Sequence, residues 1–115
     1  MDESRWMNSL LLDLYGALLT DKQRQCCELH FNEDLSLSEI AEQSGISRQG
    51  VWDNIRRAEA ALQEMEEKIG LLRRLTRTRQ ALEAVRANLR EIGALSEGQV
   101  KALAREAEQQ IDALI

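Results

Sequence analysis

Arg48 and Gln49 are the two side chains of this sequence best shaped to read another molecule. A guanidinium matches the O6/N7 edge of guanine, and a carboxamide matches the N6/N7 edge of adenine. They follow Ser47 and precede Trp52, Asp53, Arg56 and Arg57 in the segment SLSEIAEQSGISRQGVWDNIRR, residues 36–57. Arg56 and Arg57 suit phosphate oxygens, although Asp53 and Glu59 stand near enough to Arg57 to pair with it instead. Asp53 repels phosphate. It can accept from cytosine N4, but a local ion pair with Arg56 or Arg57 is the simpler expectation. Trp52 can touch a thymine methyl, yet indoles seldom stay bare, so packing near Trp6 on the first helix or in a dimer contact is expected. The plain alternative for Arg48 and Gln49 is a solvated surface.

Catalysis finds little footing. His30 is the one histidine, which rules out a histidine-based metal set. Cys26 and Cys27 are adjacent and have no evident base beside them, so both are expected to be core thiols. Glycine-rich phosphate loops are absent. No enzyme activity, metal or cofactor is expected.

The elements that would position Arg48 and Gln49 are written locally. Ser36 with Glu39 makes a capping box, and Ile40 and Ala41 follow on an inward face. Ser44-Gly45 stops that helix, since glycine accepts the left-handed conformation of a sharp turn. Ile46 pegs the turn. Ser47 caps a second helix with Val51 and Ile55 inward. Helix, short glycine turn, helix is the grammar of a DNA-binding helix-turn-helix. The candidate DNA-contacting set is therefore Ser47, Arg48, Gln49, Trp52, Arg56 and Arg57.

Around this core motif the chain reads as all-α. It has 115 residues, no Pro, and is dominated by helix formers. Helix 1 is expected over about Ser4–Leu18, with Met7, Leu10, Leu11, Leu14 and Leu18 as its apolar stripe. Thr20 with Gln23 caps helix 2, whose inner part is Cys26, Cys27, Leu29 and His30-Phe31, and Asn32-Glu33-Asp34 is a polar turn. Val51, Ile55, Ala58, Leu62, Met65, Ile69 and Leu72 form a heptad seam that needs a partner helix, in the same chain or in a second copy. Gly70 bends or ends that helix. A further helix over about Leu71–Ile92 is expected to break at Gly93. Ser96 with Gln99 then caps a last helix, about Glu97–Leu114, burying Val100, Leu103, Ala107, Ile111 and Leu114. Two parts follow: a helix-turn-helix head, residues 1–69, and a helical extension, residues 70–115, for dimerisation or interaction.

Charge sits awkwardly with DNA binding. The net charge is −5, and residues 1–60 hold six Lys/Arg against eleven Asp/Glu. Residues 61–115 balance at nine of each. Among these, Arg73, Arg77, Arg86 and Arg90 form a candidate basic patch for RNA or acidic protein, the alternative being a solvated helix balanced by Glu64, Glu66, Glu67 and Glu83. The acidic start MDESRWMNSL is not a secretory leader, no apolar run spans a membrane, and two adjacent thiols fit a reducing cytoplasm.

The stretch from Leu19, LTDKQRQCCELHFNEDLSLSEIAEQSGISRQGVWDNIRRAEAAL, resembles region 4 of bacterial sigma-70-type factors, a region that reads promoter DNA through a helix-turn-helix. MNSLLLDLYGALLTDKQRQ together with SLSEIAEQSGISRQGVWDNIRRAE is similar to the YlxM family of small bacterial helix-turn-helix proteins, with SRQ-x-V-x-DNI-x-R the most specific string. The likeness covers residues 7–72 and fades through the C-terminal third. It implies a sigma-region-4-like head, a cytosolic protein of Gram-positive-type bacteria, and a link by gene order to the signal recognition particle pathway. No counterpart of sigma region 2 is present, so a complete sigma factor is not implied. Gly50 stands where the family usually has Ala, at a cost of about 1 kcal/mol of helix stability. Ser44 and Asn54 stand where such motifs often bury apolar groups, and Cys26-Cys27 where relatives tend to have larger ones. The expectation is a homodimeric DNA-binding regulator associated with that pathway. The alternative is an accessory that binds the particle's protein or RNA through its C-terminal half without binding DNA.

Overall fold

A computed structural model describes residues 3–115, which form helices and no strand. Helix α1 spans Glu3–Tyr15 and closes in a 3-10 turn, Gly16–Leu18; α2 spans Asp21–Cys27 and widens into a π-helical turn, Glu28–Asn32. Then come α3 (Leu37–Ser44), α4 (Arg48–Ile69), α5 (Leu71–Leu95) and α6 (Gln99–Asp112). The chain divides into two compact units, the first ending at Leu72 and the second running over Arg73–Ile115.

In the first unit, α4 is the central pillar and α1, α2 and α3 pack around it. Val51, Ile55, Ala58 and Leu62 are buried among Leu11, Leu12, Tyr15, Cys26, Cys27, Phe31 and Ile40. Met65 and Leu72 lean on the same core. Most of the heptad seam is thus covered by the chain's own head, and only Ile69 stands clear, 59% exposed.

Two local departures have physical causes. The buried line of α1 is Asn8, Leu11, Leu12 and Tyr15, continued by Leu19, while Met7 and Leu18 are exposed. The stripe is turned from the expected one because Tyr15 is drawn inward: its hydroxyl donates to Glu66 Oε1 (2.8 Å) and accepts from the Leu71 N–H (3.1 Å). Beyond α2, Glu33 N–H reaches back five residues to the Glu28 carbonyl (3.2 Å), and Asp34 takes a positive φ of 58°. Aspartate tolerates that conformation better than most residues. Arg5 holds the turn from α1 by donating to the His30 carbonyl and pairing with Asp34.

Gly70, at φ 68°, separates α4 from α5. It has no side chain to cap α5, so Tyr15 and Glu66 do so: Leu72 N–H donates to Glu66 Oε1 at 3.0 Å. In the second unit α5 and α6 run antiparallel. Arg86 meets Asp112 (2.9 Å) and Arg90 meets Glu108 (3.3 Å) across the hairpin. Three expectations here are corrected. Gly93 does not break α5, which continues to Leu95; its bare Cα faces Ala104. Ser96 does not cap α6. Gly98 does, at φ 66° and ψ −133°, a conformation open to glycine and strained for Ser or Gln. With the helix starting later, α6 buries Ala104 and Ile111, while Val100, Leu103 and Leu114 are exposed.

Candidate nucleic-acid interface

The helix-turn-helix is α3, Gly45-Ile46-Ser47 and the first turns of α4. Ser36 Oγ accepts from Glu39 N–H and Glu39 Oε1 accepts from Ser36 N–H, both at 3.1 Å, closing the capping box. Gly45 takes φ 69°, and its N–H caps the Ala41 carbonyl. Ser47 Oγ accepts from Gly50 N–H at 3.0 Å. Lys22 on α2 donates to the Ser44 carbonyl (3.3 Å), placing a cation at the C-terminal end of α3, where the helix dipole favours one. Behind the motif, Ile40, Val51 and Ile55 are fully buried and fix the crossing of α3 on α4.

That burial decides what faces outward. Arg48, Gln49, Trp52, Asp53, Arg56 and Arg57 are all exposed on α4. Leu37, Arg48, Gln49 and Trp52 line an open hollow of about 430 Å³ between the start of α3 and the start of α4. Leu37 was not marked by the sequence reading. Its signal was an apolar residue at the first helical position, one turn before Ile40, and it leans on the core while lining the hollow.

Trp52 does not pack near Trp6: the two rings are 43% and 59% exposed. Its neighbour is Arg56, whose guanidinium lies 5.4 Å from the ring centroid. Such a cation–π contact straightens a long side chain and leaves its donor edge for an acceptor. Asp53 does not pair with Arg56 or Arg57 either. It accepts from Gln49 Nε2 at 3.1 Å, one turn back. An amide nitrogen carries two N–H groups. One is held by Asp53, so the other and the carbonyl oxygen remain, which is the donor–acceptor pair an adenine edge requires.

Gly50 has a local reason. A Cβ there would lie 3.2 Å from Ser47 Oγ, crowding the cap. Asn54 Nδ2 donates to the Gly50 carbonyl at 2.8 Å, so the polar group inside the motif is satisfied. Ser44 Oγ is buried without a partner.

The second candidate surface divides. Arg73 and Arg77 lie on exposed positions of α5, whereas Arg86 and Arg90 are engaged with Asp112 and Glu108. Cys26 and Cys27 are both fully buried. Burial pushes the Cys27 thiol up to about 12, with Cys26, Glu59 and Glu28 adding to it. Burial also raises Cys26, with Lys22 opposing.

A head of this kind, with a capped α3, a glycine turn and an outward row of polar side chains on a buried α4, defines a helix-turn-helix protein. The chain matches the profile of UPF0122, the helix-turn-helix proteins described as YlxM / p13 like, over residues 2–101, and belongs to that family. It is 46% identical over 110 residues to a UPF0122 protein of Geobacillus kaustophilus, covering 95% of this chain and 98% of that one. A UPF0122 protein of Thermoanaerobacter sp. is 53% identical over 74 residues, 64% of this chain and 63% of its own. One of Acetivibrio thermocellus is 52% identical over 79 residues, 68% of each. The family's description is of helix-turn-helix proteins. Among the described residues no helix is long and apolar enough to cross a membrane.

Proposed function

We propose that this chain is a cytosolic DNA-binding regulator that reads duplex DNA with the first turns of α4. The observation that carries this reading is the outward row Arg48, Gln49, Trp52 and Arg56, set on a helix whose opposite face is fixed by Val51 and Ile55. Ser47 and Arg57 would contact backbone phosphates, Arg48 and Gln49 the base edges, and Trp52 with Leu37 a thymine methyl. Binding is weak and salt-sensitive, because Glu39 and Glu42 on exposed positions of α3 and Asp53 on α4 oppose the phosphates. The test is selection of genomic fragments at low salt, followed by a salt titration on any enriched site. An enriched motif whose affinity falls with salt supports the reading; no enrichment overturns it.

The same proposal includes homodimerisation. Val85 and Ile92 of α5 fall on one flank of the hairpin with Val100, Leu103 and Leu114 of α6, and each is 46% or more exposed. Two such flanks placed together make a four-helix bundle, and paired heads would read two half-sites. The regulatory context implied by the family resemblance is the signal recognition particle pathway. Its test is recovery of the particle's protein or RNA with this chain, with and without nuclease. The alternative in which the C-terminal half binds particle RNA or protein through Arg73, Arg77, Arg86 and Arg90 is disfavoured by the engagement of the latter two.

A further inference from the structure

The polar flank of the α5–α6 hairpin is a ladder with a missing rung. Its first two rungs pair a base on α5 with an acid on α6: Arg86 with Asp112, then Arg90 with Glu108. One helical turn further on, the order reverses. Arg105 and Lys101 occupy α6, and Gly93 and Ala94 stand on α5 with nothing to offer them. Among the described residues no carboxylate pairs with either cation. The gap is a real volume, a hollow of about 270 Å³ lined by Arg90, Gly93, Ala94, Lys101, Arg105 and Glu108. Three cations and one carboxylate leave it locally at +2 in a chain whose net charge is −5.

We propose that this hollow binds a small phosphate-bearing anion. Arg90 gives its Nε to Glu108, which fixes the guanidinium plane and leaves its terminal nitrogens as donors. Arg105 supplies a second planar fork and Lys101 a mobile ammonium, so donors converge from both helices. A carboxylate is satisfied by one such fork. Three cationic side chains around one opening match the several oxygens and higher charge of a phosphate. Lys101 is the third residue of α6, and that helix end has no side-chain cap, so its dipole adds in the same sense. The small floor of Gly93 and Ala94 lets the anion approach the seam between the helices.

The probes are sodium phosphate and sodium diphosphate, titrated into the full chain at constant ionic strength with chloride as reference, and read by nitrogen-15 correlation spectra. Shifts should saturate at about millimolar concentration or below and centre on Gly93, Ala94, Lys101 and Arg105. Lys101→Ala with Arg105→Ala should weaken binding about tenfold or more. Ala94→Glu, which supplies the missing acid, should abolish it by an opposite route while the hairpin stays helical. Arg77→Ala, on α5 outside the hollow, should change nothing. Uniform unsaturated drift of all basic residues, or equal affinity in the double variant, would overturn the proposal. So would an oligonucleotide that shifts these amides when phosphate and diphosphate do not, since that assigns the cations to a nucleic-acid backbone.

Discussion

Arg48 and Arg57 lie nine positions apart on α4 and are assigned different tasks, which makes them separable. Arg48→Ala should cost about 1–3 kcal/mol on the preferred site and relax the preference at one base pair. Arg57→Ala should weaken all sequences alike and lower the salt slope by about 1. Fluorescence anisotropy on a selected site and on a scrambled one distinguishes the two outcomes. The identities and exposure of these residues were legible in the sequence, because a helix-turn-helix fixes its outward face through a few inward apolar positions. The partnership of Gln49 with Asp53 was not legible: Asp53 had two arginines within reach, and cation–π contact with Trp52 positioned one of them elsewhere. Cys26 and Cys27 carry a pH prediction. Burial raises both thiols, and the folded value of Cys27 lies at about 12, so the stability that Cys27 contributes is present below the unfolded thiol value of about 8.5 and is lost as pH climbs toward about 12, with Cys26 acting in the same direction. Between those limits the Cys27 thiol should cost on the order of 1 kcal/mol per pH unit. Thermal unfolding at pH 8 and pH 10.5 should show a steeper decline in the parent than in Cys27→Ala; equal declines would refute the assignment.

At the scale of elements, the success and failure of sequence reading follow how local each signal is. The Thr20, Ser36 and Ser47 caps were readable because donor and acceptor lie three residues apart. The phase of α1 was not, because a hydrogen bond between Tyr15 and Glu66, far apart in sequence, decides it. Ser96-x-x-Gln99 had the form of a cap, but Gly98 opens a tighter turn and takes over the start of α6. The α4 seam was legible as a seam, while its partner was not; the head itself supplies it. Leu62, fully buried between the head helices, therefore belongs to the first unit's core. Leu62→Ala should cost about 2–5 kcal/mol there. Circular dichroism melts should fall markedly, and a variant that melts with the parent would place the seam outside that core.

For the whole molecule, an acidic chain with a basic reading row and an uncovered apolar flank is expected to depend on self-association. Val100→Asp with Leu103→Asp should convert a dimer to a monomer while keeping helical content, because both residues are exposed in the single chain. Sedimentation equilibrium at micromolar concentration is the measurement, and a parent that sediments as a monomer there would sink the dimer. The same substitutions should reduce DNA affinity indirectly, by removing the second half-site contact.

The capping of α5 by Tyr15 and Glu66 also governs solvent access in time. The first N–H groups of a helix normally exchange with water quickly, having no acceptor inside the helix. Those of Leu71 and Leu72 have one, and one of the two acceptors belongs to α1. Deuterium should reach the Leu71 amide only when α1 detaches, so its exchange should report an opening of the N-terminal helix more than fifty positions away in sequence. Tyr15→Phe should release Leu71 to rapid labelling while amides buried deeper in α4 keep their protection.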